Sequence, residues 1–217
     1  IVCAFHVYGK ASEQIAKSGF IGIGFTNASA VVSPPGGNKA ILGTNPIAMA
    51  IPSKNGDIAF QFDQSTSAIA LGKITMAASA GEAIPLGWAV DSYGNNTTDP
   101  NKALKGSLKS SGDYKGWGFG LMTEVLAAAF TGSVNSLDVK GLKLPEGKPH
   151  NLGQCYLILD PNTHGNSFFD RIDRIINAVA EQEGTRLPGS NFIMPEFVKI
   201  ERKILDQLNK LSKGPTK

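Results

Sequence analysis

Thiols and imidazoles are scarce in this chain of 217 residues: two cysteines, Cys3 and Cys155, and three histidines, His6, His150 and His164. The cysteines form no disulfide framework, and the histidines share no metal-ligand spacing, so a stapled secreted scaffold and a zinc-type site are both excluded. So few thiols fit a reducing cytoplasm. No apolar run reaches membrane-spanning length and no signal peptide is visible, so no membrane partner is expected. Net charge is only +3, too small to point to nucleic acid. Part of that excess is Lys199, Arg202, Lys203, Lys210, Lys213 and Lys217 crowding the end, as on a solvated terminal helix. Several chemical signatures are missing too. There is no Walker loop, no His-Glu-x-x-His pair and no Gly-x-Ser-x-Gly elbow. The dinucleotide fingerprint Gly-x-Gly-x-x-Gly is also absent. Gly19, Gly22 and Gly24 are spaced differently inside an apolar run, and Gly116, Gly118 and Gly120 alternate within a helix start.

What is present is an ordinary globular composition, 41% apolar and 18% charged, long enough for one large domain or two small ones. Residues 8–18 carry a helical pattern with Ala11, Ile15 and Ala16 on one side. Gly19 to Thr26 suits a buried strand whose glycines admit something close to the backbone. Ser33-Pro-Pro-Gly-Gly37 is a loop. Ile47 to Ile51 and Ile58 to Phe62 pair as strands around the Asn55-Gly56 turn. Residues 66–80 are alanine-rich and suggest a helix. Residues 84–113 hold prolines, asparagines and glycines and read as a long irregular surface excursion. A buried helix is expected from Trp117 to Phe130, and a third strand from Gln154 to Asp160, with Cys155 a small buried hydrophobe. Phe168, Phe169, Ile172, Ile175, Ile176 and Val179 form an amphipathic stripe read as a core face. A last helix runs from Pro195 to Leu211. The pattern is mixed α and β, without regular βαβ alternation.

One segment carries chemistry. In Gly112-Asp-Tyr-Lys-Gly-Trp-Gly-Phe-Gly120 a lysine sits in a glycine-spaced turn ahead of an apolar helix. Free N–H groups at a helix start are partly positive, glycine lets an anion approach them, and Lys115 adds a full charge. The alternative is a solvated lysine before a core helix.

Six short segments extend this reading: Gly43-Thr-Asn-Pro46, Asp63-Gln-Ser-Thr-Ser67, Pro85-Leu-Gly-Trp88, Thr97-Thr-Asp-Pro100, Tyr114-Lys-Gly116 and Arg186-Leu-Pro-Gly189. In order and spacing they resemble the malate/L-lactate dehydrogenase family, which also contains sulfolactate, ureidoglycolate and diketogulonate oxidoreductases. The similarity runs from about Phe5 to Gly189. It implies a family-specific, non-Rossmann NAD(P)-binding fold: α/β of the mixed α+β kind, with a mixed sheet flanked by helices. Residues 1–190 would be the cofactor-binding domain, and 191–217 a C-terminal helix packing on the missing or N-terminal part. The implied activity is NAD(P)H-dependent hydride transfer to a small 2-oxo acid, or from the 2-hydroxy acid, such as malate, lactate or sulfolactate. Reduction of a cyclic imine (Δ1-piperideine- or pyrroline-2-carboxylate) is an alternative, as is a truncated, non-catalytic cofactor-binding relative. Family members are usually homodimers.

By position, the resemblance places Asp63, Thr66 and Ser67 on one cofactor wall and Lys115 and Gly116 near the phosphates. Arg186, Leu187, Pro188 and Gly189 fall in the same cleft, and Thr44 and Asn45 near substrate. Taken alone, Thr66 and Ser67 could instead cap the following helix, Asp63 could serve a turn, and Asn45-Pro46 is a common turn pair. Where the family carries His-Phe-Gly, this chain has Ala4-Phe5-His6. Phe5 and His6 are the corresponding cofactor candidates, with His6 read as two residues along a strand from the family position; simple packing is its alternative. No metal ligand is implied. The family's proton-donating histidine would lie upstream of Ile1, and the opening Ile1 suggests a chain that begins inside a longer protein.

Overall fold

The computed structural model describes residues 6–140, 150–164, 167–190, 200 and 202–212. The described residues open with helix α1 (His6–Lys17), followed by strands β1 (Ile21–Thr26), β2 (Ile47–Pro52) and β3 (Ile58–Gln64). With β6 (Gln154–Leu159) these strands form one sheet in the order β3-β2-β1-β6. Every pairing in it is antiparallel. The α+β class stands; the sheet, expected to be mixed, is antiparallel throughout. Its register follows from the Asn55-Gly56 turn: Gly56 takes φ 83°, which costs a residue without Cβ little.

The glycines of β1 admit α1 and a tyrosine. A Cβ on Gly22 would lie 2.9 Å from both Ile15 and the Ser12 carbonyl, and one on Gly24 would meet the Tyr156 ring at 3.0 Å. Helix α1 can therefore pack directly on the backbone of β1. Strand β6, at the sheet edge, is less covered than its apolar sequence suggested. Leu157, Ile158 and Leu159 are exposed and Cys155 is only half-buried, so the reading of Cys155 as a buried hydrophobe is corrected.

A second packing centre lies beyond the sheet. It is built from helix α2 (Leu71–Ala80), the two-residue strands β4 (Ala89–Val90) and β5 (Ser107–Leu108), and helix α3 (Pro100–Lys105). Val32, Ile74, Ile84, Ala89, Ala103 and Leu108 close on one another there, with Trp88 and Trp117 packed against them. Residues 84–113 are therefore not a surface excursion: they supply four of those six core side chains. The segments are too short for periodicity to reveal, and their apolar residues meet only through non-local pairing. Asp99 opens α3 as a side-chain cap, accepting from Asn101 N at 2.8 Å and Lys102 N at 3.3 Å, with Pro100 in the first turn where its missing N–H costs nothing.

A tight turn follows β4. The Asp91 carboxylate accepts from the backbone N–H groups of Asn95 (3.0 Å) and Tyr93 (2.9 Å). These donors, Asn95 foremost, hold its pKa below the ordinary 3.8. A depressed carboxylate adds stability above its ordinary value and loses it as pH falls through the lower folded value. A carboxyl-carbon NMR titration is expected to give Asp91 a midpoint below 3.8; a midpoint at or above it would mean the turn does not hold the charge.

Helix α4 (Tyr114–Glu124) runs into a single π-helical turn, Val125–Ala129. Its buried side is Gly116, Gly120, Thr123, Glu124, Ala127 and Ala128. Phe119, Leu121, Met122, Val125 and Phe130 are exposed, so the expected burial of this apolar run is corrected. The run is apolar nearly all round, and periodicity cannot choose a face for it. Close approach chooses instead, and only the small residues allow it. Helix α5 (Ser167–Ala180) contains no buried residue, and Ile204, Leu205 and Leu208 of helix α6 (Arg202–Ser212) are exposed. The stripe of residues 168–179 is therefore no core face among the described residues. Pro195 and Phe197, where the last helix was expected to begin, lie outside them.

Candidate functional site

Strand β3 and the loop leaving it collect the residues singled out in the sequence. At Gln61 the Arg186–Gly189 bend is seated on the strand. Gln61 N donates to Pro188 O at 3.3 Å, and a Cβ on Gly189 (φ 80°) would lie 2.8 Å from Gln61 O. Arg186 is exposed beside this contact and Leu187 is half-buried. Two residues along, Asp63 Oδ2 accepts the Gly9 N–H at 3.1 Å. Gly9 lies in the first turn of α1, where the helix field favours a negative charge.

Past the strand, Thr66 ties three segments together. Its N–H and its hydroxyl donate to Thr44 O at 2.9 and 3.1 Å, and its carbonyl accepts from Ser111 N at 2.9 Å. The Ser67 hydroxyl donates to Ile69 O at 2.9 Å. Neither hydroxyl caps α2, whose N-cap is Ala70 with no side-chain bond; that alternative is removed. Ser111 in turn lies under the lysine turn. A Cβ on Gly116 would be 2.1 Å from Ser111 O, so glycine is required there for packing. Asp113 holds the bend at φ 58°, uncommon for a residue with a side chain, and Lys115 projects exposed from the first turn of α4.

Asp63, Thr66, Ser67, Lys115, Gly116 and Arg186–Gly189 thus lie along one seam. At about 3.3 Å per residue, Gln61 to Thr66 covers at most on the order of 17 Å. A polar concavity of about 190 Å³ beside the seam is lined by the Ser33–Gly37 turn, Asn96, Lys109, Ser110 and Asp113. Neither it nor a shallow one along α5 includes Lys115 or Arg186. Phe5 lies outside the described residues. His6 belongs to α1 rather than to a strand. This corrects the strand reading of His6.

Asn45 sits at the centre of a buried polar cluster. It is fully buried at φ 35°, and its side chain is spent on protein partners. Nδ2 donates to Gly120 O (3.1 Å) and Glu124 Oε2 (2.9 Å), while Oδ1 accepts from Ala28 N (3.2 Å). Thr44 is nine-tenths buried, and its own hydroxyl has no hydrogen-bond partner among the described residues. Sequence reasoning missed Glu124 and Ser136, which complete the Asn45 cluster. One signal was available: Glu124 is the single charged residue between Gly116 and Phe130.

Among the described residues no group of three or more His, Cys, Asp or Glu could hold a metal ion, and no helix is long and apolar enough to cross a membrane. The class defined by this fold and seam is an α+β protein on an antiparallel sheet, with the loops singled out in the sequence gathered on an outer strand rather than on a βαβ crossover. The family follows directly: residues 3–196 match the malate/L-lactate dehydrogenase family, and the chain belongs to it. A (2R)-3-sulfolactate dehydrogenase (NADP(+)) of Chromohalobacter salexigens is 40% identical over 86% of this chain and 56% of its own length. A Δ1-pyrroline-2-carboxylate/Δ1-piperideine-2-carboxylate reductase of Pseudomonas aeruginosa is 36% identical over 81% and 53%. The sulfolactate dehydrogenase structure from Methanocaldococcus jannaschii superposes with a TM-score of 0.80 at 32% identity, over 94% of this chain and 62% of that one. The chain thus spans little more than half the length of these relatives.

Proposed function

We propose that this protein is an NAD(P)H-dependent oxidoreductase passing hydride between the nicotinamide and C2 of a small 2-oxo or 2-hydroxy acid, of the malate, lactate or sulfolactate kind. The observation that carries the reading is the seam: residues from three separate stretches of sequence, each chosen by family resemblance, meet along β3 and its extension. The residues fit a nicotinamide dinucleotide. Lys115 and Arg186 are exposed cations suited to a pyrophosphate or a ribose phosphate, and Thr44 offers a hydroxyl with no partner among the described residues. The cofactor supplies the hydride; the chain supplies orientation and charge.

In this reading Lys115 and the turn at Gly116 screen phosphate charge, and the Arg186–Gly189 bend closes the other end. Asp63 fixes α1 against the sheet, and Thr66 holds the Thr44 turn in place for the substrate oxygen. Hydride addition leaves negative charge on that oxygen, so a general acid is required, and none of the residues named here supplies it. We take residues 1–190 as the cofactor-binding domain and 191–217 as a C-terminal segment, with a homodimer in the cytoplasm as the assembly. NADP is favoured over NAD by the name of the sulfolactate relative. Cyclic-imine reduction is the second reading, favoured by several pyrroline-2-carboxylate reductases among the relatives. Fluorescence titration of the full-length protein with NADPH and NADH, followed by initial rates on sulfopyruvate, oxaloacetate, pyruvate and Δ1-piperideine-2-carboxylate, tests both readings. Binding of NADPH with turnover of one substrate class is expected; no cofactor binding at millimolar concentration would end the proposal.

A further inference from the structure

The geometry points to Glu124 as a positioning residue, which acts through Asn45 to hold the Thr44 hydroxyl toward the substrate. This rests on the oxidoreductase reading above and adds a residue to it.

The Gly43–Pro46 turn is constrained on every side. Gly43 lies so close to Ala28 that a Cβ would be 2.3 Å from its carbonyl oxygen. The Thr44 carbonyl receives two bonds from Thr66. Asn45 sits in left-handed backbone, which asparagine tolerates better than most residues, and its amide is clamped from both ends. After all this, the Thr44 hydroxyl is the one polar side-chain group of Thr44 and Asn45 without a partner among the described residues.

Glu124 closes the clamp. It is the last residue of α4, directly ahead of the π-turn, and π-turns recur at functional sites. Its carboxylate is buried, and no Lys or Arg pairs with it among the described residues. It is satisfied by donors alone: Ser136 N to Oε1 at 2.6 Å, and the Ser136 hydroxyl and Asn45 Nδ2 to Oε2. A carboxylate can only accept in its ionised form, and three donors converge on this one. Glutamine in its place keeps the volume but turns one acceptor into an NH2, so whichever way the amide lies it faces a donor it cannot accept from, Ser136 N on one side or Asn45 and the Ser136 hydroxyl on the other, and the clamp is loosened. A neutral hydrophobe would fill the space more simply, so an acceptor-only group here is a device for fixing the orientation of Asn45, and with it the turn.

The test uses the full-length protein, its wild type, Glu124→Gln and Glu124→Asp. In Glu124→Gln the KM for the 2-oxo acid or imine is expected to rise about tenfold or more while the KM for the nicotinamide cofactor stays within about twofold, since only the substrate-side turn is released. Glu124→Asp, which keeps the acceptor, is expected to recover part of the loss. In parallel, the Asn45 side-chain amide signal of 15N-labelled protein, slow to exchange in wild type, is expected to lose its protection in Glu124→Gln. If Glu124→Gln does not fold, Ser136→Ala removes one donor and is expected to give the same split at smaller size. Equal changes in both KM values, or an Asn45 amide unaltered by the substitution, would overturn the inference. A wild type that turns over neither substrate class would sink the oxidoreductase reading instead, and the Asn45 signal would then decide the role of Glu124 by itself.

Discussion

Replacing Gly153 by alanine is expected to destabilise the protein by about 3 kcal/mol or more, at the upper end of the cost of overpacking. The added Cβ would lie 1.4 Å from the Ala127 carbonyl oxygen and 2.5 Å from its carbon, both backbone atoms, so no side chain can move aside. Nor can Gly153 retreat: its N–H donates to Asn27 Oδ1 at 2.9 Å and its carbonyl accepts from the Thr26 hydroxyl at 2.8 Å. Ala127 belongs to the π-turn, whose widened helix brings that carbonyl against the approach to β6. The substitution therefore tests whether β6, β1 and the end of α4 are locked together. Gly118→Ala is the matched control. It sits in α4 with nothing within 4 Å of its Cβ position, and is expected to gain roughly 0.5–1 kcal/mol from the helix preference of alanine. Urea midpoints of the two variants read both effects; a Gly153→Ala variant as stable as wild type would mean the π-turn is misplaced.

Lys115→Ala is expected to weaken NADPH binding by about 10- to 100-fold, the loss of one hydrogen bond to a charged group at about 1.5–3 kcal/mol. Arg186→Ala is expected to do the same from the other end of the seam. Both side chains are exposed, and neither forms an ion pair with a described residue, so thermal stability should stay near that of wild type. The affinity lost should shrink as salt rises, because added ions screen exposed charges. Fluorescence titration at two ionic strengths gives both numbers. Unchanged affinity in both variants would separate these cations from the cofactor and remove the seam as its site.

Much of the sheet was legible. The β2–β3 hairpin is announced by a strong local turn, Asn55-Gly56, between two apolar runs, and β1 by its continuous apolar character, because these signals act between near neighbours. The glycines of β1 were readable as sites of close approach, though not as the seat of α1. The cofactor candidates Thr66 and Ser67 kept two meanings in sequence, cap or ligand contact. The choice fell to Ala70, the N-cap of α2, whose first residue Leu71 comes five positions later than the alanine-rich composition suggested. Asn45 read as a turn residue or a substrate contact, and its bonds to Gly120 and Glu124 were not legible because these partners lie 75 and 79 residues away.

Family membership, the α+β class and the identity of the residues along the seam were determined by the sequence alone, since short motifs and local turns are written in adjacent residues. Which face of α4 is buried, where residues 84–113 contribute core, and that Glu124 reaches the Thr44 turn were decided only in the tertiary structure. Each depends on how closely two backbones can approach, and that distance is set by glycines and small side chains contributed from distant parts of the chain.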